Sequence, residues 1–381
     1  MASELTESPT FMWVYDSFSG LLTRFNPTRM LALLYNDTLT ETLPIKGCYS
    51  TGISDLPEEI LVYILQFLDH KDLGRCERVC TEWKNVIHNR PALWSHVKIE
   101  DTPPGKSSKA MNVYCRMSQQ EKLVSYVNHL VMLGARVETL TINLERYNEA
   151  TYNVVAFLIS SGCCAHLQKS SITWTEDCSY GATAEFEKSY IFHLSTLELL
   201  NKFSPELTNL RTQFNWTFDS INYLSKFKKL QNLDILCVPR VHTIQKWHLE
   251  KILNHLTSLE SLKLRVTMMP PLQHKLNLVS KSLKRLDVSH CVNFVVGSMD
   301  LPNLEVLEGE SMQCHRQVII FHRSFCFYDV LENGCPSLKR VNDWTVRSKE
   351  PVFGLPFEKQ CQMKICHCSR HRMQPQINNR N

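Results

Sequence analysis

The residues with the most evident chemical potential cluster near the C-terminal end: Cys361, Cys366, His367, Cys368 and His371. Zinc takes Cys and His donors in tetrahedral sites. A finger needs two donor pairs set apart by a loop, and the spacing Cys-x4-Cys-His-Cys-x2-His does not provide them. Lys359 to Arg380 carries five Lys/Arg and no Asp or Glu, so the stretch reads as a basic surface tail and no metal is expected. Cys163-Cys164 could offer a nucleophile, but a reactive thiol needs a lowered pKa and a nearby base, and no such pattern surrounds the pair. Gly105-Lys106-Ser107 is the tail of a phosphate-loop motif whose first glycine is replaced by Glu100, and no apolar strand leads into it. No catalytic residue and no cofactor is expected.

The elements carrying these residues belong to a chain of 381 residues, long enough for two or three domains or one elongated one. Hydrophobic residues make up 43%, enough for a sizeable core. Basic and acidic residues nearly balance, 42 against 38, which gives no reason to expect nucleic acid. Only 12 glycines occur, which disfavours a Gly-rich nucleotide scaffold. The 15 cysteines are odd in number and irregular in spacing, unlike a secreted disulfide framework. No signal peptide and no membrane span is expected, so the cytoplasm, the nucleus or both is the expected location. The Asn36 and Asn215 sequons are then chance matches.

Residues 53–99 have the strongest local pattern. Ser54 or Asp55 can cap a helix, Pro57 suits its first turn, and Glu58 and Glu59 favour the positive end of its dipole. Ile60, Leu61, Ile64, Leu65 and Leu68 follow at helical spacing. Asp69-His70-Lys71-Asp72 interrupts them. Leu73, Cys76, Val79 and Cys80 mark a second short helix, and Trp83, Val86 and Ile87 a third, ending before Pro91. Three such helices bury little surface alone, and the first has more apolar face than their core needs. A partner covering the remainder is expected.

Leu56-Pro57-x-Glu59-x-Leu61-x-x-Ile64-x-x-x-Leu68-x-x-x-Asp72-Leu73, Arg78-Val79-Cys80-x-x-Trp83 and Leu93-Trp94 resemble the F-box, with the landmarks in order and at the expected spacing. The resemblance implies docking on the Skp-type adaptor of an SCF ubiquitin ligase and, through it, on a cullin scaffold. It implies that Leu56, Pro57, Ile60, Leu61, Ile64 and Leu65 form the leading contact edge. Leu73, Val79, Cys80 and Trp83 would form the bundle core or its border with the adaptor.

Residues 100–115, rich in Pro, Gly, Ser and Lys, read as a linker. Beyond them recur Leu-x-x-Leu-x-Leu-like phrases: Val137–Ile142, Leu230–Ile235, Leu259–Leu264 and Leu283–Val288. Weaker copies are Leu167–Ile172, Leu207–Thr212, Leu304–Gly309 and Leu338–Asp343. Copies starting at 230, 259, 283 and 304 step by 29, 24 and 21 residues, inside the leucine-rich-repeat range. Helical fragments such as Trp247–Leu256 lie between them. The phrases resemble irregular leucine-rich repeats. The fold class expected is therefore α+β or α/β: a three-helix F-box followed, over 116–345, by a repeat-like curved solenoid of parallel strands.

Residues alternating with the buried leucines would line the exposed sheet face: Thr141, Asn143, Asp234, Lys263, Arg265, Asp287, Ser289 and Glu308. Their mixed charge fits a protein surface better than a phosphate groove. Asp234, Lys263, Arg265, Asp287 and Ser289 are the candidate target-binding residues. Residues 1–52, with the aromatic run Phe11–Tyr15 and a helix-like run Thr28–Leu34, form a partly ordered leader, and 346–381 the basic tail. The expected function is that of a non-catalytic substrate receptor: the F-box docks and the repeats hold a protein target for ubiquitination. The alternative is an F-box scaffold that acts without target degradation.

Overall fold

The computed structural model describes residues 56–100, 113–144, 149–174, 183–214, 216–237, 246–266, 276–291, 294–309, 319–321, 333–341 and 344–345. The leader, residues 101–112 of the linker and the Cys/His tail lie outside the described residues.

Three short helices open the described chain: α1 (Glu58–Leu65), α2 (His70–Cys76) and α3 (Thr81–Asn89), followed by a 3-10 turn at Pro91–Trp94. Side-chain caps start α2 and α3. The Asp69 carboxylate accepts the Asp72 N–H at 2.8 Å, capping α2, and the Cys80 sulfur takes the Trp83 N–H at the start of α3. Leu61, Leu65, Leu73, Trp83, Ile87, Leu93 and Trp94 close on one another as a small buried core. Arg90 donates two hydrogen bonds to Glu58, at 2.6 and 2.9 Å, joining the end of α3 to the start of α1.

The chain then enters a ten-stranded sheet of β1 (His96–Glu100), β2 (Thr139–Leu144), β3 (Lys169–Trp174), β4 (Asn209–Phe214), β5 (Asn232–Cys237), β6 (Ser261–Leu264), β8 (Arg285–Asp287), β10 (Val306–Glu308), β12 (Arg340–Val341) and β13 (Trp344–Thr345). All neighbours are parallel except β13, which returns antiparallel to β12. Each Leu-x-x-Leu-x-Leu-like phrase supplies one strand of this sheet. In the ladder Val97, Leu140, Ser170, Leu210, Leu233, Leu262, Leu286, Leu307 and Val341 stand side by side across it, all buried. The leading positions Val137, Leu167, Leu207, Leu230, Leu259, Leu283, Leu304 and Leu338 are buried as well. Full burial of one such side chain contributes about 1.5–3 kcal/mol, and Leu210, Leu233, Leu262, Leu286 and Leu307 stand in register from strand to strand.

The backbone repeats as faithfully as the leucines. Ser95 O accepts the N–H groups of Glu138 and Thr139, and Glu138 O accepts those of Gln168 and Lys169. The same forked bond passes from Gln168 to Thr208, Gln231, Glu260, Lys284 and Glu305, ending on Arg340. This chain of bonds starts inside the F-box-like segment. The sheet accordingly opens at His96, ahead of the repeat region expected from residue 116, because Trp94-x-x-Val97-x-Ile99 follows the repeat spacing with Trp94 in the leading position.

On one side of the sheet the return legs are helices: α4 (Val113–Met132), α5 (Glu149–Ser160), α6 (Thr183–Phe203), α7 (Phe218–Leu224) and α8 (Lys246–His255). At the end of α4, Gly134 takes φ +61, and Ala135 and Gly134 return their N–H groups to Leu130 and Val131, the geometry of a Schellman stop. After α8 the repeats shorten and the return legs become strands: β7 (Leu276–Val279), β9 (Phe294–Asp300) and β11 (Ile319–Phe321), which form a second parallel sheet. A strand covers the same distance as a helix in fewer residues, so the shorter spacing selects it. Among the described residues no helix is long and apolar enough to cross a membrane.

Candidate docking surfaces

The first surface lies on α1 and the turn that follows it, which carries Phe67. Its apolar residues divide between two faces, as a 3.6-residue period requires. Leu61 and Leu65 point inward and are 3% and 1% exposed. Leu73 and Trp83, contributed by α2 and α3, share that core, so these four residues build the bundle and present nothing to a partner. Ile60, Tyr63 and Phe67 point outward at 40%, 51% and 61% exposure, and Ile64 is half-buried between the two faces. Tyr63 and Phe67 pack edge to face, with centroids 5.2 Å apart. Pro57 and, in the turn before α3, Val79 are exposed, and Leu56 is half-buried. The outward set therefore includes Tyr63 and Phe67, which the sequence reading missed. Their spacing from Ile60, three and seven residues, was the available signal.

The second surface is the sheet face opposite the helices. Its central row, read through the register, is Lys98, Thr141, Ser171, Arg211, Asp234, Lys263, Asp287 and Glu308. Asn232 donates to Asn209 at 2.6 Å and Thr173 to Asn143 at 2.6 Å, so polar side chains bridge neighbouring strands. A shallow cavity lies over the strand starts, bordered by Thr139, Lys169, Asn209, Arg211 and Lys263. The acids of the face are engaged by bases of the same face. Arg211 pairs with Asp234 at 3.4 Å, Lys98 with Glu100 at 2.8 Å, Arg340 with Glu308 at 2.8 Å, and Lys263 with Asp287.

Among the expected target-binding residues, Asp234 and Lys263 stand in this row, and Arg265 follows at the end of β6 with its Nε buried and unbonded. Asp287 differs from the expectation: its side chain is 6% exposed. Burial by itself would raise its carboxyl pKa, but Lys263 and the two bonds from Ser289, at 3.0 and 2.6 Å, hold it below the usual range. Asp287 and Ser289 thus brace the strand end.

Cys163 and Cys164 are buried, and burial pushes the Cys164 thiol up to about 12, which removes the thiolate a nucleophile needs. No metal ligands were expected in this chain. Three helices nevertheless bring Glu77, His88 and His129 together at the junction of bundle and repeats. Their sequence separation hides the group from any motif.

The architecture is that of an F-box-like domain followed by leucine-rich-repeat-like strands, and comparison with known proteins agrees: residues 53–100 match the family model described as F-box-like. F-box/LRR-repeat protein 5 of Danio rerio is 36% identical over 61 residues, covering 14% of this chain and 9% of that protein. The Bos taurus protein of the same name is 40% identical over 48 residues, covering 13% and 7%. The chain thus matches less than a tenth of the length of either relative.

Proposed function

We propose that this chain is the substrate-recognition subunit of an SCF-type E3 ubiquitin ligase. The observation that carries the reading is the outward edge of α1. Ile60, Tyr63 and Phe67 stay exposed on a bundle whose core is already closed by Leu61, Leu65, Leu73 and Trp83, and large apolar groups so placed fit a protein partner. A Skp-type adaptor is that partner, and it brings the cullin. The sheet face holds the protein target. The contribution to catalysis is positional: a bound target lysine is kept near the loaded conjugating enzyme at high effective concentration. The chain itself supplies no reacting group. It works in the cytoplasm or nucleus, where thiols such as Cys76, Cys164 and Cys335, held up at about 11 to 12 by burial, remain reduced.

Affinity capture of the intact chain from cells, with and without inhibition of cullin activation, tests this reading. Co-capture of adaptor and cullin, together with proteins whose ubiquitination falls on inhibition, supports it. Capture of the adaptor with no cullin-dependent ubiquitination of any co-purifying protein favours the scaffold alternative.

A further inference from the structure

The junction between the bundle and the repeats holds a cluster that neither docking surface uses. Glu77 closes the C-terminal end of α2, His88 lies in the last turn of α3, and His129 in the last turn of α4. Glu77 Oε1 is 3.1 Å from His129 Nε2 and 3.5 Å from His88 Nε2, and the three donor atoms all fall within 4.8 Å of one another. The Glu77 carboxylate lies within ion-pair distance of both histidines but hydrogen-bonds only His129. His88 Nε2 is turned inward to the same oxygen, is fully buried, and makes no hydrogen bond. The rings are held in place from behind: Trp94, 1% exposed, packs edge-on against His129 at 5.2 Å, and His88 meets His129 edge to face at 5.9 Å.

Donors about 2.0–2.1 Å from a tetrahedral zinc ion stand roughly 3.3–3.4 Å apart, and the two Glu77 separations bracket that value. We propose that Glu77, His88 and His129 bind a zinc ion that ties the F-box-like bundle to the first repeat helix. Two histidines and one carboxylate form a recognised three-ligand set for zinc, which leaves a fourth position for water. Among divalent metals that favour nitrogen and oxygen donors, zinc binds such a set more tightly than manganese or iron. The histidine side chains are 35% exposed and that of Glu77 14%, which gives the ion a route from solvent. Two ligands come from the bundle and one from the repeats. The ion therefore cross-links the docking element to the target-holding element and fixes the angle between them.

The test uses the full chain with Cys361, Cys366 and Cys368 changed to serine, so that the tail adds no thiolate. Zinc content and Co2+ absorption are measured near neutral pH. The expected result is one zinc per chain, visible Co2+ d–d bands without a thiolate charge-transfer band, and a rise in Tm on adding zinc. In the same background H88Q/H129Q should weaken zinc binding by more than about 100-fold, beyond the ~10–100-fold expected for an outer-shell partner, and should abolish the Tm response. If that double variant does not fold, E77Q serves in its place with the same expected losses. Absence of zinc in the tail-substituted chain, or undiminished zinc affinity in the folded ligand variant, overturns the proposal.

Discussion

His70 packs between Trp94 and Tyr126, with ring centroids 4.9 and 5.9 Å away, and its Nδ1 lies 2.5 Å from the Tyr126 hydroxyl. Burial is the largest influence on it and pushes its pKa from 6.5 down to about 4, against the opposing effects of the Leu93 backbone and Asp69. Between those values the unfolded chain takes up a proton that the folded chain excludes. Stability is therefore fully present above 6.5 and falls as pH drops towards 4. His70→Gln should flatten this dependence: denaturant melts at about pH 7 and about pH 5 will show a smaller loss for the variant than for the parent, and equal losses would contradict the assignment. At Asp287 the lesson is one of placement. The alternating pattern of the sequence assigned its face correctly but carried no measure of depth, so the carboxylate's inward bonds to Lys263 and Ser289 were illegible. A target-binding variant should therefore leave Asp287 intact. R265E, which leaves the Lys263–Asp287 pair in place, is expected to abolish capture of the target while the adaptor still binds; unchanged capture in a pull-down would exclude this part of the face.

Elements were legible wherever a period reported burial. Leu233 and Leu262, aligned in neighbouring strands and 2% and 0% exposed, were marked as core by their spacing. Leu262→Ala should cost about 2–5 kcal/mol in equilibrium unfolding, whereas a loss below about 0.5 kcal/mol, typical of surface substitutions, would contradict the stacked core. What the period did not reveal was the change of return leg from helix to strand after α8. Leu276 and Leu278 alternate inward, but four residues are too few to separate a strand from a helix turn. On α1 the helical face was legible and its division was not, because which of Ile60 and Leu61 points inward depends on where α2 and α3 pack. I60D/Y63D should therefore leave Tm within a few degrees of the parent, since neither side chain is in the core, while L61D should unfold the bundle. Comparing the two thermal melts checks the division directly.

At the scale of the whole molecule, the described residues from Glu58 onward form one compact unit. The forked backbone bonds running from Ser95 to Arg340 show why: the last turn of the F-box-like segment is also the first step of the repeat stack. The sequence displayed both parts as separate patterns and placed a linker between them. Their shared strand, β1, went unrecognised because Trp94 serves the bundle core and the repeat spacing at once. A receptor built this way would carry its docking face and its target face on one continuous hydrogen-bonded scaffold. The account rests on α1 being the docking face, and the most direct measurement is the affinity of the purified full chain for a purified Skp-type adaptor, set beside that of I60D/Y63D. The account predicts a stoichiometric complex for the parent and a loss of at least about 100-fold in affinity, about 2.7 kcal/mol, for the folded variant. No complex with the parent, or equal affinity for both chains, would contradict it.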